Sequence, residues 1–191
     1  RGLAQPYGLS YIPGPWMESI QVSKGAASVK NGYESTTGQI NVEYKKPSSD
    51  EKLHLNAFID DAGRLEGNAN LRWRLGEHLG SMLLLHAEHQ GSRLDHNSDG
   101  FLDLPLVDQV NVMNRWEYEK AGKRHLQFGF KALDERRKAG QHMVHAAENI
   151  PMDSLYGIAI NTRRYEVFTK NGFISTTRPG TSLGIIASAI Y

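Results

Sequence analysis

The chain has 191 residues, a formal net charge of +1 and no cysteine, enough for one ordinary domain or two small ones. Its Lys and Arg are scattered without the stripe that a phosphate backbone requires, so nucleic acid is not an expected partner, and disulfides and thiolate metal sites are excluded whatever the compartment. No run of 18 apolar residues occurs, which excludes a transmembrane helix but not a transmembrane barrel.

The first informative stretch is 17–47, MESIQVSKGAASVKNGYESTTGQINVEYKKP. Ile20 and Val22 alternate with Ser19, Gln21 and Ser23, and Ile40, Val42 and Tyr44 alternate with Asn41, Glu43 and Lys45. Period-two alternation predicts strands over 19–23 and 39–45, joined by a turn region with Gly25, Gly32 and Gly38, where permissive φ angles are needed. A soluble β-hairpin would read the same way. The run Lys24-Gly25-Ala26-Ala27-Ser28, then Asn31-Gly32, Gly38-Gln39 and Ile40-Asn41-Val42, also resembles the C-terminal end of the plug domain of TonB-dependent outer-membrane receptors. In that family the run is Lys/Arg-Gly-Pro-Ala-Ser, Tyr-Gly, Gly-Gly and Val-Ile-Asn-Ile. This chain departs from it at Ala26, Asn31 and Gln39.

From Leu53 onward the pattern changes, with 46–52 as the boundary. Leu53, Leu55, Ala57 and Ile59 alternate with His54, Asn56, Phe58 and Asp60, and 61–63 forms a tight hairpin. Over 64–75 the odd positions are Leu65, Gly67, Ala69, Leu71, Trp73 and Leu75, whereas the even ones are Arg64, Glu66, Asn68, Asn70, Arg72 and Arg74. That length is close to the roughly 9–11 residues a tilted strand needs to cross a bilayer. Further strands are predicted near 81–89, 110–120, 124–133, 161–174 and 182–191. Their apolar faces carry Leu83, Leu85 and Ala87, Val112, Trp116 and Tyr118, Leu126, Phe128 and Phe130, then Tyr165, Val167 and Phe173. The last strand is the weakest, because Ile186 and Ile190 interrupt its polar face.

The two long connections, 90–109 and 134–160, fall on one side if the strands run up and down. Trp73, Trp116 and Tyr118 then stand just before short turns, at a membrane interface. A soluble β-sandwich also alternates. Against it stand the length of the strands and the dense charge of the polar face at Arg72, Arg74, Arg115, Glu117, Glu119, Arg164, Glu166 and Lys170. The expected fold is all-β: the end of a plug over 1–47, then about seven antiparallel strands of an incomplete transmembrane barrel over 48–191, in up-and-down meander order. The family's barrel has about 22 strands, and both Arg1 and Tyr191 read as cuts in a longer protein. An open sheet of this length is expected to pair with itself.

Two loops carry candidate chemistry. Asp95, Asn97, Asp99 and Gly100 have the opening spacing of a calcium loop, and Phe101 offers a carbonyl. Position 12 is Leu106 rather than Glu, so Asp103 or Asp108 would have to compensate; a series of Asx turns is the other reading. In the second long loop His142, Met143 and His145 are candidate substrate-binding residues, with side chains that suit a copper, zinc or haem ligand. His86 and His89 are predicted to lie on opposite faces of a strand. No G-x-S-x-G, H-E-x-x-H or phosphate loop occurs, and no enzymatic activity is expected.

The resemblance implies a receptor in the outer membrane of a Gram-negative bacterium that takes up a scarce, bulky ligand: an iron-siderophore, haem, cobalamin, another metal chelate or a glycan. Its implied partners are outer-membrane lipid, the extracellular ligand and the inner-membrane TonB complex, the last through a coupling segment placed before Arg1. No cofactor is expected apart from the calcium that the Asp95–Asp103 spacing suggests. The competing reading is a soluble, calcium-stabilised β domain that recognises a glycan or a protein.

Overall fold

A computed structural model describes residues 10–25, 38–48, 51–142, 155–178 and 180–191. Pro13-Gly14-Pro15 drives the chain into a single 3-10 turn, Gly14–Trp16, which the Trp16 N–H closes by donating to the Pro13 carbonyl at 3.1 Å. Two strands follow, β1 (Met17–Lys24) and β2 (Gly38–Tyr44), paired antiparallel with Ile20 opposite Val42 and Val22 opposite Ile40. Both strands lie within two residues of their predicted bounds. Gly25, just after β1, has a φ of +81°, as the turn there requires; Gly32 lies outside the described residues.

The rest is one seven-stranded antiparallel sheet in strict sequential order, with two open edges. Its strands are β3 (Leu53–Ile59), β4 (Arg64–Arg74), β5 (Leu79–Gln90), β6 (Leu106–Lys120), β7 (Arg124–Gly140), β8 (Gly157–Ile174) and β9 (Ser182–Ile190). The all-β meander is as expected. The expected strand starts and ends are too short at one end. β6 begins at Leu106 rather than Val110, β7 runs on to Gly140 rather than Leu133, and β8 begins at Gly157 rather than Asn161. The segment added to β7 carries charge on both faces, and cross-strand pairs such as Asp134 with Arg163, 2.9 Å apart, hold it in the ladder.

Register sorts the side chains. Leu53, Leu71, Leu83, Asn114, Phe130 and Val167 stand in one row across six strands. The next row, on the other face, holds Arg72, Met82, Arg115, Gly129 and Phe168. The first face is apolar and open: Leu55 is 68% exposed and Ile59 71%. On the second, Asn111 is 0% exposed and Glu135 1%. This polarity is the reverse of a soluble domain, which buries its apolar face.

Asn114, the polar exception in the apolar row, is buried. Its amide donates to Ser81 Oγ at 3.3 Å and to the Met82 carbonyl at 3.0 Å, beside Trp116, whose ring stacks on Phe128 at 5.5 Å. A polar group on an apolar surface is tolerated when its bonds are made inside the protein.

The small core lies against the polar face. Trp16, fully buried, packs on Met82, Leu84 and Met113, with Tyr44 and Phe168 around it. Phe168 reaches this cluster by lying across Gly129, where a Cβ would come within 2.6 Å of its ring. The connector from hairpin to sheet passes the end with the shorter turns, where the Arg72 N–H donates to the Lys52 carbonyl at 2.9 Å.

Two outcomes test this architecture. Trp16→Ala should destabilise the docked hairpin by about 3–5 kcal/mol; proteolysis should then open residues 10–48 while the circular-dichroism strand signal of the sheet persists. Gly25→Val should cost more than about 1 kcal/mol, because a β-branched residue is strained at positive φ; a chemical-melting midpoint identical to wild type would contradict the turn.

Candidate functional site

The polar face of the sheet is a wall of donors aimed at the hairpin. Arg115 Nη1 donates to the Tyr44 and Lys45 carbonyls, each at 3.2 Å, and its Nη2 donates to Gln127 Oε1 at 3.2 Å. Gln127 Nε2 in turn donates to Glu117 Oε1 at 2.9 Å, which fixes the amide. Lys131 Nζ donates to the Tyr11 carbonyl at 3.0 Å and to the Tyr44 hydroxyl at 3.3 Å. It also sits 5.8 Å from the Trp16 ring centre and 5.5 Å from that of Tyr44, within cation–π range. Asn70 Nδ2 donates to the Pro15 carbonyl at 2.9 Å.

These bonds satisfy backbone carbonyls of the hairpin and of the segment before it, three of which, at Tyr11, Pro15 and Lys45, lie outside any strand. Hydrogen bonds to charged groups are worth about 1.5–3 kcal/mol each when buried. Burial pushes the Tyr44 phenol up to about 12, so its hydroxyl stays protonated beside the ammonium. On the more open side of β2, Lys46 holds the Glu43 carboxyl below its ordinary range by hydrogen bond and charge, and Glu43 raises Lys46 in return.

A cavity of about 490 Å³ remains between β2 and the wall, lined among others by Glu43, Lys46, Arg115, His125, Lys131 and Lys170. Toward the opposite end of the sheet the polar face carries a ladder. Asn68 Nδ2 donates to Asn56 Oδ1 at 3.2 Å, and its Oδ1 meets His86 Nδ1 at 2.8 Å. The next residue in that row is Asn111, fully buried, with neither amide atom hydrogen-bonded. One row further out Arg64 pairs with Glu66 and, at 3.2 Å, with Glu88, and Arg137 pairs with Glu135 at 3.0 Å. His89, on the apolar face as the alternation requires, pairs with Asp108 at 2.7 Å.

The two long connections, residues 91–105 and 141–156, leave the same end of the sheet and touch. Leu102 N–H donates to the Gly140 carbonyl at 2.9 Å and His142 N–H to the Gly100 carbonyl at 2.8 Å. The Phe101 and Tyr156 rings lie 6.4 Å apart. The first connection is closed by its own acids. Asp95 accepts the Asp99 N–H at 3.1 Å and the Gly100 N–H at 2.9 Å, and Asp99 accepts the Phe101 N–H at 2.8 Å. Asn97 Nδ2 donates to Asp99 Oδ2 at 2.9 Å, while Asp103 accepts the His96 N–H at 2.9 Å and meets His96 Nδ1 at 2.6 Å. The oxygens of Asp95, Asp99 and Asp103 thus serve backbone amides, that of Asp99 in an Asx turn to Phe101. Among the described residues no three His, Asp or Glu side chains form a metal-holding group. His142 lies beside this loop; Met143 and His145 lie outside the described residues.

No family model, curated protein or solved structure matches the chain. Two residues central to that geometry, Trp16 and Lys131, do not stand out by alternation. Trp16 follows a Pro-Gly-Pro turn outside any periodic run, and Lys131 sits at an ordinary polar position of β7.

The loop has a pH signature. Hydrogen bonds from His96 hold the exposed Asp103 carboxyl below its ordinary value. A depressed carboxylate contributes to loop order above its unfolded pKa, about 3.9, and that contribution is lost as pH falls through the lower folded value. Amide exchange of His96 and its neighbours should therefore accelerate below about pH 4. Asp103→Asn should exchange rapidly at every pH; an unchanged exchange profile in that variant would show that the carboxylate does not order the loop.

Proposed function

We propose that the chain is the plug end and part of the wall of a TonB-dependent outer-membrane receptor. In this reading the apolar face contacts lipid, the polar face lines a lumen, and the hairpin of β1 and β2 is the end of the plug. The observation that carries it is the reversed polarity of the sheet together with what covers the polar side. An exposed face of Leu, Ile, Val and aromatic residues has one suitable solvent, the bilayer. The buried Asn, Gln, Arg and Glu of the opposite face are partnered largely by one another and by the docked hairpin.

Three further features support the reading. Both long connections leave one end, beside the tight 60–63 turn, and the other end carries only short turns, as in outer-membrane barrels. Trp73, Trp116 and Tyr118 stand on the apolar face near the shorter turns, at interfacial height. The hairpin joins the wall at that same end. Open edges at β3 and β9 call for more strands to close a lumen. The transported ligand is a bulky solute bound at the long-connection end, where residues 91–105 and His142 meet.

Fractionation and detergent dependence test the assignment. The protein should sediment with the outer membrane of a Gram-negative host and require detergent for extraction; recovery as a monomer without detergent would favour a soluble binding module. At residue level, Leu71→Arg should destabilise the folded protein by about 2–4 kcal/mol near the bilayer midplane. Arg72→Leu, on the opposite face, should be mild. Equal effects on detergent-refolded protein would refute the assigned faces.

A further inference from the structure

We infer that the rim of the sheet at its shorter-turn end is a binding surface for the phosphates of anionic phospholipids. The inference rests on the membrane reading proposed above. Lys120 closes β6 and Arg124 opens β7, directly opposite each other on the apolar face. Lys123 lies in the turn between them, residues 121–123, and its carbonyl accepts the Ile174 N–H at 2.9 Å, tying the turn to β8. Arg178 stands in the following turn, residues 175–181. All four residues are exposed. With strands about 4.8 Å apart, β6 to β9 place these cations across about 15 Å, and neighbouring charges fall within a Debye length of about 8–10 Å.

Among the described residues no acid pairs with this row. Glu119 alternates onto the polar face, and Glu77 lies in the neighbouring turn on the far side of β6. The acids of the apolar face, Asp108 and Asp134, stand at the opposite end and pair with His89 and Arg163. Among the described residues none of the four side chains has a carboxylate partner. Arg124 instead lies 5.1 Å from the Phe173 ring centre.

That stacking holds a guanidinium at the foot of an aromatic belt made by Trp116, Tyr118, Phe128 and Phe173. Arginine offers a planar fork that matches phosphate oxygens, and lysine a point charge that follows them. Aromatic rings at this height meet the headgroup boundary, with acyl chains along the apolar face above. Lys120, Arg124 and the belt share one face, with Lys123 and Arg178 in the turns at its foot. That places the phosphate on a lipid whose tails cover Leu126 and Phe128, rather than on a soluble anion.

The test uses protein reconstituted in phosphatidylcholine vesicles with and without phosphatidylglycerol, followed by measurement of the lipid retained after detergent extraction. Wild type should retain phosphatidylglycerol preferentially, and each of Lys120→Gln, Lys123→Gln, Arg124→Gln and Arg178→Gln should reduce that enrichment by about fivefold at low salt. High salt should act in the same direction, and Lys120→Arg should keep the enrichment. The variants must insert into pure phosphatidylcholine as wild type does; for one that does not, the salt titration of wild type decides. Equal retention of the two lipids by inserted wild-type protein would overturn the inference and leave the membrane reading standing. Failure of wild type to insert at all would overturn both. Displacement of the bound lipid by free glycerol phosphate would show that the rim recognises a soluble anion instead.

Discussion

Leu71 stands opposite Leu83, and Arg72 opposite Met82; this register decides what both faces of the wall touch. Side chains alternate, so a slip of one residue would exchange every partner on β4 and put arginines among Leu53, Leu83 and Phe130. The tight turn at residues 60–63 pins the pairing of β3 with β4, where the Arg64 N–H donates to Asp60 Oδ1 at 2.9 Å. The three-residue turn 121–123 does the same for β6 and β7. Once the register is set, Asn114 must be satisfied within the apolar face and Glu135 within the polar one, and both are.

The same register explains how the hairpin is held. A face this polar cannot bind a partner by apolar contact along its whole length. It offers one apolar island, Met82, Leu84 and Met113, and Trp16 covers it. Around that island Arg115, Lys131 and Asn70 donate to backbone carbonyls of residues 11, 15, 44 and 45. Carbonyl recognition is indifferent to hairpin side chains, so the contact depends on the path of the backbone, and Trp16 supplies the specific anchor. Removing a cation would leave buried carbonyls unpaired, which costs more than the bond itself contributes.

Much of this was legible in the sequence, for a physical reason. Alternation over 64–75 is free of exceptions, and the structure places β4 there with the faces as read. In β5, however, Met82 and Leu84 make both faces apolar, and periodicity cannot say which one another element covers. The end of β7 was hidden because Asp134, Glu135, Arg136 and Arg137 are charged on both faces, as in a solvated loop. Only their pairing across strands makes them part of the ladder. The Asp95–Asp103 spacing left a calcium loop and a series of Asx turns open, and the structure shows oxygens of Asp95 and Asp99 accepting backbone amides. Whether such oxygens turn toward a cation or toward nearby amides depends on backbone geometry that spacing does not encode.

The central claim is that one face of the sheet meets lipid and the other does not. The chain contains no cysteine, so single cysteines can be introduced along β4 and spin-labelled without background. In reconstituted protein, collision rates with oxygen, which partitions into lipid, and with a water-soluble nickel chelate should alternate with period two. Labels at positions 65, 67, 69, 71 and 73 should be open to oxygen and closed to nickel, and labels at 66, 68, 70 and 72 should show little oxygen access. Nickel access equal on both faces, or an absence of alternation, would contradict the account.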